Sequence, residues 1–246
     1  MSQDEGAHDL APQTADYVTS AVKAVVGAAP FVGSLLVEIA GVVIPNQRMD
    51  RIARFAQELE VRLSELEQDI VRAQLTNENF TDLVEEGLRQ AAQSLSDDRR
   101  EHIASLVSNS LNTEEISYVE SKHLLRILGE LNDIEIIRLG RYLFDISGSG
   151  NAYWEKHREI LAPVGATFDS SQQEIDRDTL QVSYDEHLAR LGLLRTHYKI
   201  DSRTKLPEFD SRTGAQAVRG HELSGLGRLF CRQIELSEEE PGRQAD

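Results

Sequence analysis

Seven histidines, one cysteine and 42 carboxylates are the side chains from which this chain could build an active site or a metal centre. Their spacing argues against both. His8, His102, His123, His157, His187, His197 and His221 stand apart, with no HxxxH, no HExxH and no cysteine partner, so no zinc set is spelled out. His123 borders Leu124 and Leu125 and reads as an interior or boundary residue. Cys231 excludes an intrachain disulfide and suits a reducing cytoplasm. On the apolar face of the last helix it reads as a small buried hydrophobe. The acidic pairs Glu85-Glu86, Asp97-Asp98 and Glu114-Glu115 are adjacent along helices, where neighbours do not face each other, so they make poor acid–base dyads. The run from Gly148 to Gly150 lacks a preceding strand, a third glycine and a following lysine, and no GxSxG elbow occurs. The expectation is a non-enzymatic chain with no cofactor and no metal.

Residues that could meet a partner cluster near the C-terminus. Tyr184, His187 and Arg190 fall on a helix that stops at Gly192, and Arg203, Lys205 and Arg212 fall in a polar loop. Leu193–Ile200 reads as extended, as do 206–209 and Ala217–Glu222, and an apolar helix restarts after Ser224. Capping boxes at Ser171–Glu174 and Ser183–Glu186 mark either two short helices with a turn near Val182 or one helix with an accidental second box. The two-helix version is the helix-turn-helix half of a winged helix, with Tyr184–Leu191 in the recognition position. The motif DSRT stands at 201–204 and again at 210–213, each copy reading as a turn, with a basic wing tip as the alternative.

Charge is uneven. Residues 1–178 carry 16 basic and 31 acidic side chains, residues 179–234 carry 9 and 6, and the remaining tail carries 1 and 5. Only the C-terminal module could approach a phosphate backbone. Its would-be recognition helix nevertheless sets Asp185 and Glu186 against Arg190, so duplex binding tighter than about 10⁻⁶ M is not expected.

The positions Leu191, Gly192, Leu193, Ser224, Leu226, Gly227 and Arg228 resemble the C-terminal end of bacterial Abi-alpha-like proteins, which are associated with abortive infection against phage. The match covers about a fifth of the chain. The resemblance implies a non-enzymatic bacterial protein with a part in defence, and brings no catalytic residues with it.

The elements that carry this module read as mainly α. Residues 1–13 read as a disordered tail, 14–150 as a helical body, 151–234 as a winged-helix-like module with a short β-hairpin wing, and 235–246 as an acidic disordered tail. Thr14 can cap a first helix. Tyr17–Ile44 is apolar and small, interrupted by Lys23, Pro30 and Glu38, and its longest uncharged run has 14 residues. That is short of the roughly 20 a span needs. Phe31, Leu35, Leu36 and Ile39 therefore read as part of a buried hairpin, with a membrane-inserting element as the alternative. Met49, Ile52, Ala56, Leu59, Leu63, Leu66, Ile70 and Ala73 form a heptad seam for one long helix, in a bundle or in an intermolecular coiled coil. Phe80 to Leu95 mark a further helix, Ser96 caps the next, Thr113 starts another with Ile116 and Val119, and Asn132 with Glu135 boxes the start of one running to about Ile146. Ser147–Asn151 breaks the chain and reads as the boundary. Tyr153 and Trp154 anchor a short helix.

Three functional expectations follow. The first is an interaction protein whose module binds another protein or its own copy. The second is a winged-helix DNA-binding regulator, with nucleic acid possible but not favoured. The third is a cytoplasmic defence effector that reaches a membrane through residues 17–44 on activation.

Overall fold

The structure, a computed structural model, describes residues 32–33, 46–111, 116–144, 152–165, 167, 169–210 and 214–236. Thr14, Phe31, Leu35, Leu36, Ile39, Thr113, the Ser147–Asn151 breaker, Arg212, the tail 1–13 and residues 237–246 of the acidic tail lie outside the described residues. Of those described, 66% are helical, in ten helices with one two-stranded antiparallel hairpin near the C-terminus. No described helix is long and apolar enough to cross a membrane. The chain divides into two compact units, Met1–Gly129 and Glu130–Asp246. The division falls well before the Ser147–Asn151 breaker, because the helix that follows Asn132 makes its polar contacts with the C-terminal module.

The first unit is a helical bundle. Helix α1 (Asn46–Ser64) packs against α3 (Glu78–Gln93) and α4 (Asp97–Asn109). The first half of the heptad seam is buried, from Met49 through Leu63, together with Phe55. Gly87 permits the close approach, since a Cβ there would lie 3.1 Å from Val107 and 3.2 Å from Phe55. Asn77 and Ser96 cap α3 and α4 by accepting the amides of Asn79 and Arg99.

The second half of the seam departs from expectation. The helix stops at Ser64, and a separate α2 (Gln68–Gln74) follows. The Gln68 side-chain amide donates to the carbonyls of Leu63, Ser64 and Leu66 around the break. The rotation at this elbow buries Val71 and leaves Leu66, Ile70 and Ala73 exposed. Leu95 and Val119, expected in the core, are also exposed: α3 ends at Ser94, and Val119 lies in the first turn of α5 (Tyr118–Glu130). His123 is exposed too. Val32 marks where the apolar N-terminal segment meets the bundle; it is buried, and its N–H donates to Glu60 Oε2 at 3.2 Å.

The second unit runs α6 (Asp133–Leu143), two short helices α7 (Ala152–Lys156) and α8 (Arg158–Leu161), α9 (Gln172–Arg190), strands β1 (Leu194–Tyr198) and β2 (Val218–Leu223), and α10 (Gly225–Gln233). The unit is thus mostly helical, with a small antiparallel hairpin between its last two helices. Capping boxes start α6 at Asn132–Glu135 and α9 at Ser171–Glu174. The Ser183–Glu186 box does not form, because α9 runs through it unbroken. The sequence reading with a turn near Val182 is thereby corrected: one 19-residue helix occupies the span of the two. Gly192 ends it with a φ of 77°, in the left-handed region. Tyr153 anchors α7, donating to the Ile137 carbonyl at 2.9 Å and covering Gly140, where a Cβ would collide with its ring. Ser224 ties hairpin to α10: its hydroxyl accepts from the Gly227 amide and donates to the Gly192 carbonyl.

Candidate functional site

Helix α9 would be the reading element if this module bound DNA, and its charges face the wrong way for that. It carries Glu174, Asp176, Asp178, Asp185 and Glu186 against Arg177 and Arg190. Several of its polar side chains are committed to the unit itself: Arg177 donates to the Glu159 carbonyl, Gln181 to those of Ile160 and Ala162, and two more meet α6. Asp185 accepts two bonds from the buried Arg138 of α6, and His187 Nδ1 meets Glu135 Oε1 at 2.6 Å. His187 is therefore withdrawn from the partner-binding set, since its ring is spent on α6. Tyr184 is half-buried and Arg190 is exposed.

Sequence reasoning missed the joint between α6 and α9. Glu135, Arg138 and Tyr142 recur on α6 at helical spacing. Glu135 serves twice: Oε2 accepts the Asn132 amide at 2.8 Å in the capping box, and Oε1 takes His187. Tyr142 packs edge-on against His221 of β2, with ring centroids 6.4 Å apart. Burial, and after it the charge of Asp185, push the Tyr142 hydroxyl up to about 12. The joint is filled by its own members, and among the described residues no cluster of His, Cys, Asp and Glu could hold a metal. Cys231 is buried, and that burial pushes its thiol up to about 12, so it packs as a hydrophobe.

The DSRT loop has an order that its polar composition conceals. The chain beyond β1 folds into two successive small hairpins. Asp201 N–H donates to the Leu206 carbonyl and Lys205 N–H to the Asp201 carbonyl; nine residues on, Asp210 donates to Ala215 and Gly214 to Asp210. Each turn ends in a left-handed residue, Lys205 at φ 59° and Gly214 at φ 69°. Asp201 Oδ1 also accepts the amides of Arg203 and Thr204, so the first copy is the turn expected of it.

Three backbone bonds close the double hairpin. Lys199 N–H donates to Ala217 O at 2.8 Å, Ala217 N–H to Glu208 O at 2.8 Å, and Glu208 N–H to Lys199 O at 3.0 Å. The residues that follow them, Ile200, Phe209 and Val218, hold equivalent places, each in a narrow non-hydrogen-bonded pair, opposite Pro207, Gln216 and Tyr198 respectively. Pairing therefore puts all six on one face. That face is apolar and open: Tyr198 is 46% exposed, Ile200 62%, Phe209 64% and Val218 47%. Arg203 and Lys205 are exposed at the first turn. The sequence signal was present in the nine-residue repeat of DSRT, whose preceding residues are Ile200 and Phe209.

No known protein family, curated protein or solved structure matches this chain.

Proposed function

We propose that this chain is a non-enzymatic bacterial interaction protein whose C-terminal unit makes a protein–protein contact or self-association through the double hairpin. One observation carries the reading: Tyr198, Ile200, Phe209 and Val218 share one exposed face of a hydrogen-bonded scaffold. Isolated exposed apolar residues are ordinary, but a contiguous set on a rigid element is characteristic of a contact surface. Its make-up, an apolar centre bearing Tyr198 and Phe209 with an arginine beside it, supports a protein contact, where aromatic residues and arginine are enriched. A duplex-reading role is disfavoured by the acidic outer length of α9. The likeness of Leu191–Leu193 and Ser224–Arg228 to Abi-alpha-like proteins supports an abortive-infection setting for that contact.

The test places a photo-crosslinking p-benzoylphenylalanine at position 209 in a bacterial host and resolves the adducts by mass. A defined protein adduct is expected, absent when the crosslinker is moved to Glu155. Adducts to DNA alone, or duplex binding tighter than about 10⁻⁶ M at physiological salt, would overturn the reading.

A further inference from the structure

The double hairpin is the basic part of an acidic chain. Residues 195–219 hold six basic side chains against Asp201, Glu208 and Asp210, whereas the chain as a whole has a net charge of −16. A surface that matches it in both respects lies in the first unit. At the elbow between α1 and α2, Val61, Leu66 and Ile70 are exposed, and Glu65, Glu67 and Asp69 stand exposed among them. From Glu65 to Ile70 there are three acids and no base. This elbow is where the heptad seam leaves the core, so its apolar side chains have no covering among the described residues of the first unit.

We propose that the occupant of the double-hairpin face is a second copy of this chain, docked through its α1–α2 elbow. The inference rests on the interaction reading above and names its partner. Apolar residues would meet apolar residues at the centre, with Arg203 and Lys205 facing Glu65, Glu67 and Asp69 at the edge. Such a contact joins two different surfaces. It is heterologous, so each added copy presents a fresh elbow or a fresh hairpin, and assembly proceeds as a ring or an open filament rather than as a closed twofold dimer. Opposite charge at the rim speeds encounter and makes the assembly sensitive to salt.

The geometry gives a complementation test on the full chain by sedimentation velocity at about 100 μM, above the micromolar range of a weak interface. One variant, Phe209→Ser, disables the hairpin and keeps the elbow. The other, Leu66→Ser with Ile70→Ser, disables the elbow and keeps the hairpin. All three side chains are exposed, and far-ultraviolet circular dichroism checks that both variants fold as the parent does. The parent should assemble beyond a dimer, and each variant alone should remain a monomer. Mixed in equal amounts, the variants should form one discrete heterodimer, which dissociates in high salt. A parent that stays monomeric overturns the second-copy occupant. A dimer that survives in the elbow variant also overturns it, since that contact would be hairpin to hairpin. The crosslinking at position 209 separates the two claims: adducts to a different protein sink this inference and leave the interaction reading standing, while the absence of any protein adduct sinks that reading itself.

Discussion

Arg138 grips Asp185 with two parallel bonds, Nε to Oδ1 at 3.0 Å and Nη2 to Oδ2 at 2.7 Å, and so locks α9 to α6. Its Nη1 has no hydrogen-bond partner among the described residues, so the bidentate pair carries most of the compensation for burying the guanidinium. Arg138→Met should destabilise the second unit by about 3 kcal/mol, because Asp185 is left largely buried without its cation. Arg138→Met combined with Asp185→Leu should recover most of that loss. Urea unfolding of the parent, the single and the double variant measures it; a double variant as weak as the single would refute the account.

Gly227 and Gly225 sit two residues apart at the start of α10 and should respond oppositely to alanine. A Cβ on Gly227 would lie 2.2 Å from the Leu193 carbonyl oxygen and 2.8 Å from Leu223, so the backbone of the hairpin's base must shift. Overpacking of this kind costs about 1–3 kcal/mol. A Cβ on Gly225 meets nothing within 4 Å, and Gly225→Ala should stabilise by up to about 1 kcal/mol through helix propensity. Thermal melts of the two variants decide the matter.

Tyr142 supplies a pH dependence at the alkaline end. Burial and Asp185 favour its neutral phenol, so the folded state holds the proton up to about pH 12 where the unfolded chain releases it near the ordinary value of 10.0. The sign follows: its contribution to stability is fully present below pH 10 and is lost as pH rises from there towards 12. Ultraviolet titration of the parent and of Tyr142→Phe should give equal amplitudes in the early tyrosinate step near pH 10, with the variant lacking one tyrosine from the late step. Alkaline unfolding of Tyr142→Phe should lose this part of the pH slope.

Val32 tests the apolar N-terminal segment where it meets the bundle. Val32→Asp would set a carboxylate against Glu60 in a buried position. The expected outcome is a collapsed thermal melt, at a cost of several kcal/mol, with no vesicle flotation by the parent protein. An unchanged melt together with flotation that the variant loses would favour the membrane alternative instead.

Local chemistry made the helix starts legible. Asn132 with Glu135, Ser171 with Glu174, Ser96 and Ser224 all cap where their side chains and their neighbours imply, because a cap needs only three or four adjacent residues. Gly192 ended its helix for the same reason. Features set by distant partners were not legible. The seam read through Leu66 and Ile70 because heptad spacing records where apolar residues fall, not whether Gln68 will intercept the carbonyls between them. Ser183–Glu186 is as good a box in sequence as its neighbour, yet the helix passes through it. Asp185 and His187 each find a partner on α6 that no local pattern announces. In the site, the DSRT repeat was visible, but its meaning was not: the ring of Lys199, Glu208 and Ala217 is made by backbone groups, which every residue type but proline supplies alike.

That ring makes the wing excisable. Removing residues 200–208 would join Lys199 to Phe209 and leave the second small hairpin intact. The Lys199 carbonyl, released by Glu208, would then take the Ala217 amide that Glu208 had held, while Lys199 N–H keeps Ala217 O. The result is an ordinary antiparallel pair exchanging both bonds, with the register of β1 on β2 untouched. Length in this part of the molecule is thus quantised in whole units of nine residues, and a lineage could enlarge or trim the contact face by duplication or loss without re-solving the fold that bears it.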